Sequence, residues 1–289
     1  MIKALLTLIW LVYAYYRIKR SLHMLQQNLY DDDKRYIKYI KNNFNKIMLG
    51  IELSQVLLIF LILFINDNII VPILFVLVYL MLDLINYAVS KTEIIKKHLV
   101  VTARVRRLLV TIFLIYMLCI TIGLKLHINY YVIITLLAYL QYFITLLACK
   151  INIPIEKLVY LEYKNQATKK LESMTNLKVI GITGSYGKTS SKNILNEILN
   201  YKYNSVATPK NLNTPYGLMI TINNHINKFD NMFIAEMGAY KVGEIQELCD
   251  LVHPKYGILT KIGTAHLELF GSQENIQKGK FELIESLPE

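Results

Sequence analysis

The segment Gly184-Ser185-Tyr186-Gly187-Lys188-Thr189-Ser190 has the composition of a phosphate cradle. Glycines let successive backbone N–H groups turn toward an anion, and a helix opening at Lys188 offers its positive N-terminal end to the same anion. Lys188 has the reach for β- and γ-phosphates. The Thr189 hydroxyl suits Mg2+, a hard ion that takes oxygen ligands and shares phosphates. The strict phosphate loop, G-x-x-x-x-G-K-[ST], puts its first glycine at a position where this chain has Ile182. The segment is therefore a tightened variant, with residues 184–190 as the expected ATP contacts. Downstream stand Glu236 in "FIAEMGAY", His266 in "GTAHLE" and Lys280 in "NIQKGKFELI". Glu236 reads as a metal ligand or a solvated strand end, and His266 as a ligand or a structural histidine. Lys280 falls on the apolar stripe Ile276, Leu283 and Leu287 at helical spacing. An ammonium there either snorkels to the surface or is converted chemically to an anion.

These groups need a scaffold. Four short apolar runs, 177–183, 203–208, 231–237 and 255–261, alternate with helix-like stretches at 188–200, 215–223, 243–252 and 273–286. Alternating strand and helix predicts a parallel sheet with helices on its faces. Such sheets bind ligands beyond the carboxyl ends of their strands. Each run hands over to a polar loop: the phosphate loop, "PKNLNTPYG", Glu236, and the loop bearing His266. Convergence of the four on one sheet edge argues for an enzyme.

The first half is different in kind. The chain is 54% hydrophobic with a mean hydropathy of +0.36, against about 45–50% apolar for soluble domains. Five apolar segments, near 2–16, 47–65, 69–89, 108–124 and 130–149, predict a multi-span helical membrane region over 1–149. The first is short, and a signal peptide is its alternative, although no small-residue cleavage site follows. Residues 1–149 carry 16 Lys/Arg against 7 Asp/Glu, while 150–289 carry 16 against 14. The basic excess thus lies between greasy segments, which favours membrane topology and excludes nucleic acid as a partner. Loops 17–46 and 90–107 are Lys/Arg-rich, whereas 66–68 and 125–129 are poor. The expected topology has a lipid-embedded region, the N-terminus outside and everything after 149 in the cytoplasm, with ATP. Residues 34–47 mix Lys with Ile and aromatics, as an interfacial helix or a solvated loop does. Asp83 is an intramembrane carboxylate, functional by default or snorkelling. Residues 150–176 read as a linker or partly helical connector. Cys119, Cys149 and Cys249 form no metal or disulfide pattern.

"TGSYGKTSS", "NLNTPYG", "FIAEMGAYKVGEIQEL" and "ILTKIGTAHLELFGSQENIQKGKFELI" together resemble the central ATPase domain of the Mur ligases, over about residues 177–289. The resemblance is strongest to the branch that adds D-Ala-D-Ala in peptidoglycan synthesis at the bacterial inner membrane. It implies ATP-driven amide formation through an acyl phosphate, with a UDP-muramoyl peptide as acceptor and a D-Ala-D-Ala dipeptide as donor. It implies two Mg2+ ions held by Thr189, Glu236, His266 and Lys280, the last as a carbamylated lysine. It implies catalytic roles for Lys188, His266, Lys280 and Asn213, with Asn211 and Asn213 facing the phosphates. Two departures stand beside it. Membrane segments occupy the place of the family's soluble UDP-binding domain, and the chain stops before the family's remaining sheet and terminal domain, so 177–289 is expected to be the front part only. A related amide ligase of the poly-γ-glutamate or capsule type, and a non-catalytic ATP-binding scaffold that engages other cell-wall proteins, are the competing readings. A transporter ATPase would bring a strict phosphate loop, which is absent.

Overall fold

A computed structural model of the chain describes residues 2–65, 69–92, 98–210 and 212–288. The chain divides into two compact units, Met1–Glu156 and Lys157–Glu289. The first is all helical: α1 (Ile2–Gln27), α2 (Ile37–Asn42), α3 (Leu53–Phe64), α4 (Ile70–Thr92), α5 (Ala103–Lys125), α6 (Tyr130–Tyr139) and the front of α7 (Gln141–Glu172). Side-chain caps start two of them: the Thr102 hydroxyl accepts from Val105 N–H for α5, and Asn129 accepts from Tyr131 N–H for α6.

Three stretches, Asn45–Phe64, Ile70–Ser90 and Ala103–Lys125, are long and apolar enough to cross a membrane. The pair α6 and α7, bent by 74° at its break, makes up to four. Segment 2–16 forms the front of α1, which runs on through Arg17, Lys19 and Arg20 and is not among these candidates. The outward faces are apolar: Leu57, Phe60 and Phe64 on α3, Leu77 and Leu84 on α4, and Phe113 and Leu118 on α5 are all exposed. A water-soluble surface seldom carries so continuous an apolar area. The interior, in contrast, is polar in places. The Ser21 and Thr145 hydroxyls lie 2.8 Å apart, and Gln141 Nε2 donates to Thr145 Oγ1 at 2.9 Å. Residues 34–47 bury Tyr36, Ile40 and Ile47 in this bundle, while Lys34, Lys38 and Lys41 face out. Asp83 sits half-buried in α4 with its Oδ1 buried and lacking a hydrogen-bond partner. The loop 66–68, with Lys96 and Lys97, lies outside the described residues.

The second unit contains the rest of α7, then β1 (Lys178–Thr183), α8 (Lys188–Asn200), β2 (Ser205–Ala207), α9 (Pro215–His225), β3 (Met232–Glu236), α10 (Glu244–Val252), β4 (Tyr256–Leu259), α11 (Leu267–Phe270) and α12 (Gln273–Glu285). The four strands form one parallel sheet in the order β2-β3-β1-β4. They are the four apolar runs, trimmed at their ends. Residues 150–172 are continuous helix, including Pro154, the helical one of the two connector readings. From Tyr160 onward this helix packs on the α/β core: Ala167 is fully buried, with Tyr160, Tyr163 and Leu171 around it. Register aligns the strand ends. Ile182 pairs with Glu236 and Thr183 with Leu259, so β1, β3 and β4 finish at one edge.

Candidate active site

The phosphate loop leaves β1 at that edge. Gly184 has φ +147°, and a Cβ there would fall 2.0 Å from Thr260 Oγ1, so only glycine fits. The loop is pinned to the segment after β4: Ser185 N–H donates to Lys261 O at 2.8 Å, and Thr260 Oγ1 donates to Tyr186 O at 2.7 Å. Gly187, with φ +84°, caps α8 and starts the helix at Lys188. Lys188 Nζ folds back to donate to Gly184 O at 2.7 Å. Thr189 and Ser190 stand exposed in the first turn, where backbone N–H groups point along the helix axis toward any bound anion.

Glu236, the last residue of β3, is 2% exposed. Its Oε1 accepts from Thr189 Oγ1 at 3.2 Å and from Asn213 Nδ2 at 3.1 Å. Its Oε2 lies 3.1 Å from Lys192 Nζ, but off axis, so it is ion-paired yet receives no directed hydrogen bond. Lys192 Nζ spends its donors on Thr208 O at 2.8 Å and Lys210 O at 2.9 Å. One buried ammonium thus ties α8, the loop after β2 and the end of β3 together. Asn213 O accepts from Gly238 N–H at 2.8 Å, and a Cβ at Gly238 would come within 2.9 Å of the Asn213 amide carbon.

His266 and Lys280 reach the segment that follows Glu236. His266 adopts a left-handed conformation, φ +63°, and its ring meets Tyr240 edge-on at 4.8 Å. Lys280 Nζ donates to Ala239 O at 3.4 Å and lies 5.5 Å from the Phe270 ring centre. Lys280 is 4% exposed, so it does not snorkel. Burial, with Lys188 nearby, lowers its pKa to about 8. Burial first, then the Lys280 and Lys188 ammoniums, lower the His266 pKa, which favours the neutral imidazole near pH 7. Burial also lowers the Lys188 pKa, against the opposing pull of Glu236.

Lys188, Thr189, Asn213 and Glu236 are therefore joined at one sheet edge, and His266 and Lys280 feel the field of Lys188 there. Asn211 lies outside the described residues. Lys192 and Thr208 were not anticipated. The signal for Lys192 was the stripe Lys192, Leu195 and Leu199 at helical spacing, the same oddity as at Lys280. Among the described residues no three His, Cys, Asp or Glu side chains gather as a preformed metal site. The expected ligand set contains only two of those types, Glu236 and His266. Glu236, with Oε1 at the Thr189 hydroxyl and Oε2 lacking a directed donor, does fit a hard cation shared with phosphates.

Residues 182–289 match the family described as Mur ligase middle domain. The UDP-N-acetylmuramoyl-tripeptide–D-alanyl-D-alanine ligase of Bacillus subtilis (strain 168) is 38% identical over 114 residues, 39% of this chain and 24% of that protein. The ligase of that name from Escherichia coli (strain K12) is 37% identical over 112 residues, 39% of this chain and 25% of that protein. Among solved structures, MurF ligase from Thermotoga maritima in complex with ADP has 37% identity and a TM-score of 0.43, covering 45% of this chain and 30% of that one. The chain spans about a quarter of the length of the curated relatives it matches. Residues 182–289 are a Mur ligase middle domain, a component of a family that comprises ATP-dependent amide ligases.

Proposed function

We propose that this protein is a membrane-anchored, ATP-dependent amide ligase of peptidoglycan synthesis. The observation that carries the reading is Glu236 closing on Thr189 at 3.2 Å, directly beside the phosphate loop. In the proposed reaction a carboxylate oxygen of a UDP-muramoyl peptide attacks the γ-phosphorus of ATP, and ADP departs with the electrons of the broken P–O bond. The amine of a D-Ala-D-Ala dipeptide then attacks the acyl carbon. The tetrahedral intermediate expels phosphate, and the amine proton is lost to solvent. These substrate classes are taken from the names of the relatives.

Catalysis of phosphoryl transfer is mainly positioning and charge neutralisation. Backbone N–H groups of residues 184–190 hold the phosphates. Lys188 exchanges the Gly184 carbonyl for a phosphate oxygen. Asn213, with Asn211, orients the phosphate side of the pocket. Thr189, Glu236, His266 and Lys280 would hold two Mg2+ ions, which supply charge neutralisation at the transferring phosphate. Glu236 reaches that role only by loosening from Lys192. Lys280 would contribute as a carbamate: its neutral amine attacks CO2, an N–C bond forms and the proton leaves. A pKa of about 8 supports this, because roughly a tenth of the amine is then neutral at pH 7. The helices of 1–149 hold the domain at the inner membrane, with the basic loops and residues 150–289 on the cytoplasmic side.

The test is ADP release by the complete protein, embedded in membrane, given Mg-ATP, UDP-muramoyl tripeptide and D-Ala-D-Ala. Release that requires both substrates is expected. Lys280→Ala is expected to abolish it, with partial recovery on adding small carboxylates. No substrate-dependent release from the unaltered protein refutes the ligase assignment, and undiminished release from Lys280→Ala refutes the carbamate.

A further inference from the structure

The turn that follows Glu236 is held from two sides by α12. Lys280 Nζ reaches Ala239 O near its beginning. Glu282, two residues further along the helix, reaches its end. Glu282 Oε1 accepts from Gly243 N–H at 2.6 Å, and Oε2 accepts from Gln246 N–H at 3.0 Å. Both donors belong to the opening turn of α10, where N–H groups have no carbonyl within the helix to bond. A helix usually meets this need with a side chain at its own N-cap. Here the N-cap is Gly243, at φ +93°, which has no side chain to give. Glu282 therefore supplies the cap from a different helix. It is 7% exposed. A carboxylate so buried is costly unless it is hydrogen-bonded, and the positive end of α10 suits its charge. Gly279 brings α12 close to the same turn: a Cβ there would lie 3.5 Å from Val242 Cα and 3.0 Å from the Phe270 ring.

The turn matters for what it carries. Ala239 O receives the Lys280 amine, and the Tyr240 ring meets His266 edge-on at 4.8 Å. Tyr240 N–H and Lys241 N–H both donate to Glu244 Oε2, at 2.6 and 3.3 Å, and Glu244 is the first residue of α10. Contacts thus run from Glu282 to the start of α10, from there to the turn, and from the turn to Lys280 and His266. We infer that Glu282 is a positioning residue: by fixing the start of α10 to α12 it holds Lys280 and His266 in place relative to each other. A misplacement of about 1 Å in such groups costs on the order of 100-fold in rate. The catalytic use of the two side chains rests on the ligase reading above, whereas their being held by Glu282 does not.

The test measures how firmly Lys280 is held, using the full chain in detergent micelles. Lys280 is acetylated at one fixed pH, and its rate is read by mass spectrometry against that of exposed Lys278 on the same helix. Each variant is compared at the same interval below its own unfolding temperature. In the unaltered chain Lys280 should react far more slowly than Lys278, and equal rates overturn the inference. Glu282→Gln turns an amide NH2 toward one of the two donors, and Glu282→Asp keeps the charge but is too short to span both. Each should raise the Lys280 to Lys278 ratio about 5- to 10-fold, as loss of a helix cap does. Ile180→Ala, a core change in the cluster under α8, should leave the ratio within about twofold. An equal rise in Ile180→Ala reduces the effect to general loosening and overturns the inference, as does an unchanged ratio in the Glu282 variants. A rise in Glu282→Gln alone assigns it to lost charge and also overturns it. In the complete protein, under the turnover conditions given above, Glu282→Asp should lower kcat about 10-fold and leave the KM for ATP within about twofold. An unchanged kcat overturns the positioning role. Absence of turnover by the unaltered protein refutes the ligase reading alone, and the acetylation ratios then decide this inference by themselves.

Discussion

Each unit buries an ion pair, and the two pairs are built to different ends. In the helical unit, Arg17 and Glu52 lie 3.1 Å apart, with Arg17 also bonded to carbonyls of α6 and Glu52 to Tyr13 and Gln55. In the α/β unit, Lys192 and Glu236 lie equally close, but Glu236 Oε2 receives no directed hydrogen bond, and its other oxygen faces Thr189 beside an open phosphate loop. The first pair is saturated and secures a break between two helices. The second is unsaturated. A buried charge that has used all its bonding capacity is architecture, whereas one that keeps an oxygen in reserve can change partners.

Substitutions can break this contrast. The largest effect is expected at Arg17→Ala, which leaves Glu52 buried without its counter-ion and the α6 carbonyls uncapped. It should cost about 3–5 kcal/mol of bundle stability, read by chemical unfolding in detergent, and Mg-nucleotide should not restore it. A loss below about 1 kcal/mol would place this pair among ordinary surface bridges. Lys192→Met should cost about 3 kcal/mol in the α/β unit. Here Mg-ADP should recover most of the loss, because a bound cation takes over the charge of Glu236. A thermal-shift measurement showing the same deficit with and without Mg-ADP would mean that both pairs are architectural.

Lys280 sharpens the comparison through pH. Its pKa falls from 10.5 to about 8 on folding. Between those values the unfolded chain binds the extra proton, so stability rises with pH across that window, and the penalty is fully present below pH 8. Lys280→Met should therefore stabilise the apo protein by about 3 kcal/mol at pH 7, and the gain should fade as pH approaches 10.5. A gain that does not vary between pH 7 and 10 contradicts a desolvated ammonium. The smallest effect is expected at Gly187→Ala. Nothing lies within 4 Å of the added methyl, so only the backbone strain of φ +84° remains, about 1 kcal/mol. Gly184→Ala, which collides with Thr260, should exceed it.

Much of the α/β unit was legible because its signals are local. The helix expected at 188–200 is α8 as observed, since a glycine cap and a periodic stripe define both ends within the segment. Strand ends shrank by one or two residues because ladder pairing, not hydrophobicity, decides where a strand stops. The stretch 150–176 read as a linker or a partly helical connector because Lys and Glu dominate it, and residues 150–172 are helix throughout. Its buried side, Tyr160, Tyr163, Ala167 and Leu171, shows only at helical spacing, and Pro154 lies inside the helix. The break between α6 and α7 at Leu140 was invisible, since 130–149 is one apolar run. Lys192 was missed because the phosphate-loop pattern ends at Thr189, although a lysine on an apolar helical stripe marked it as it marked Lys280.

The central claim is that the end of β1, the start of α8 and the end of β3 form a magnesium-nucleotide site. Titration calorimetry of the intact chain in detergent micelles, with ADP in the presence and absence of Mg2+, tests it most directly. The account predicts magnesium-enhanced binding that weakens roughly 10- to 100-fold in Lys188→Ala, the worth of one or two charge-assisted contacts. No binding by the unaltered chain, or equal affinity in Lys188→Ala, would contradict it.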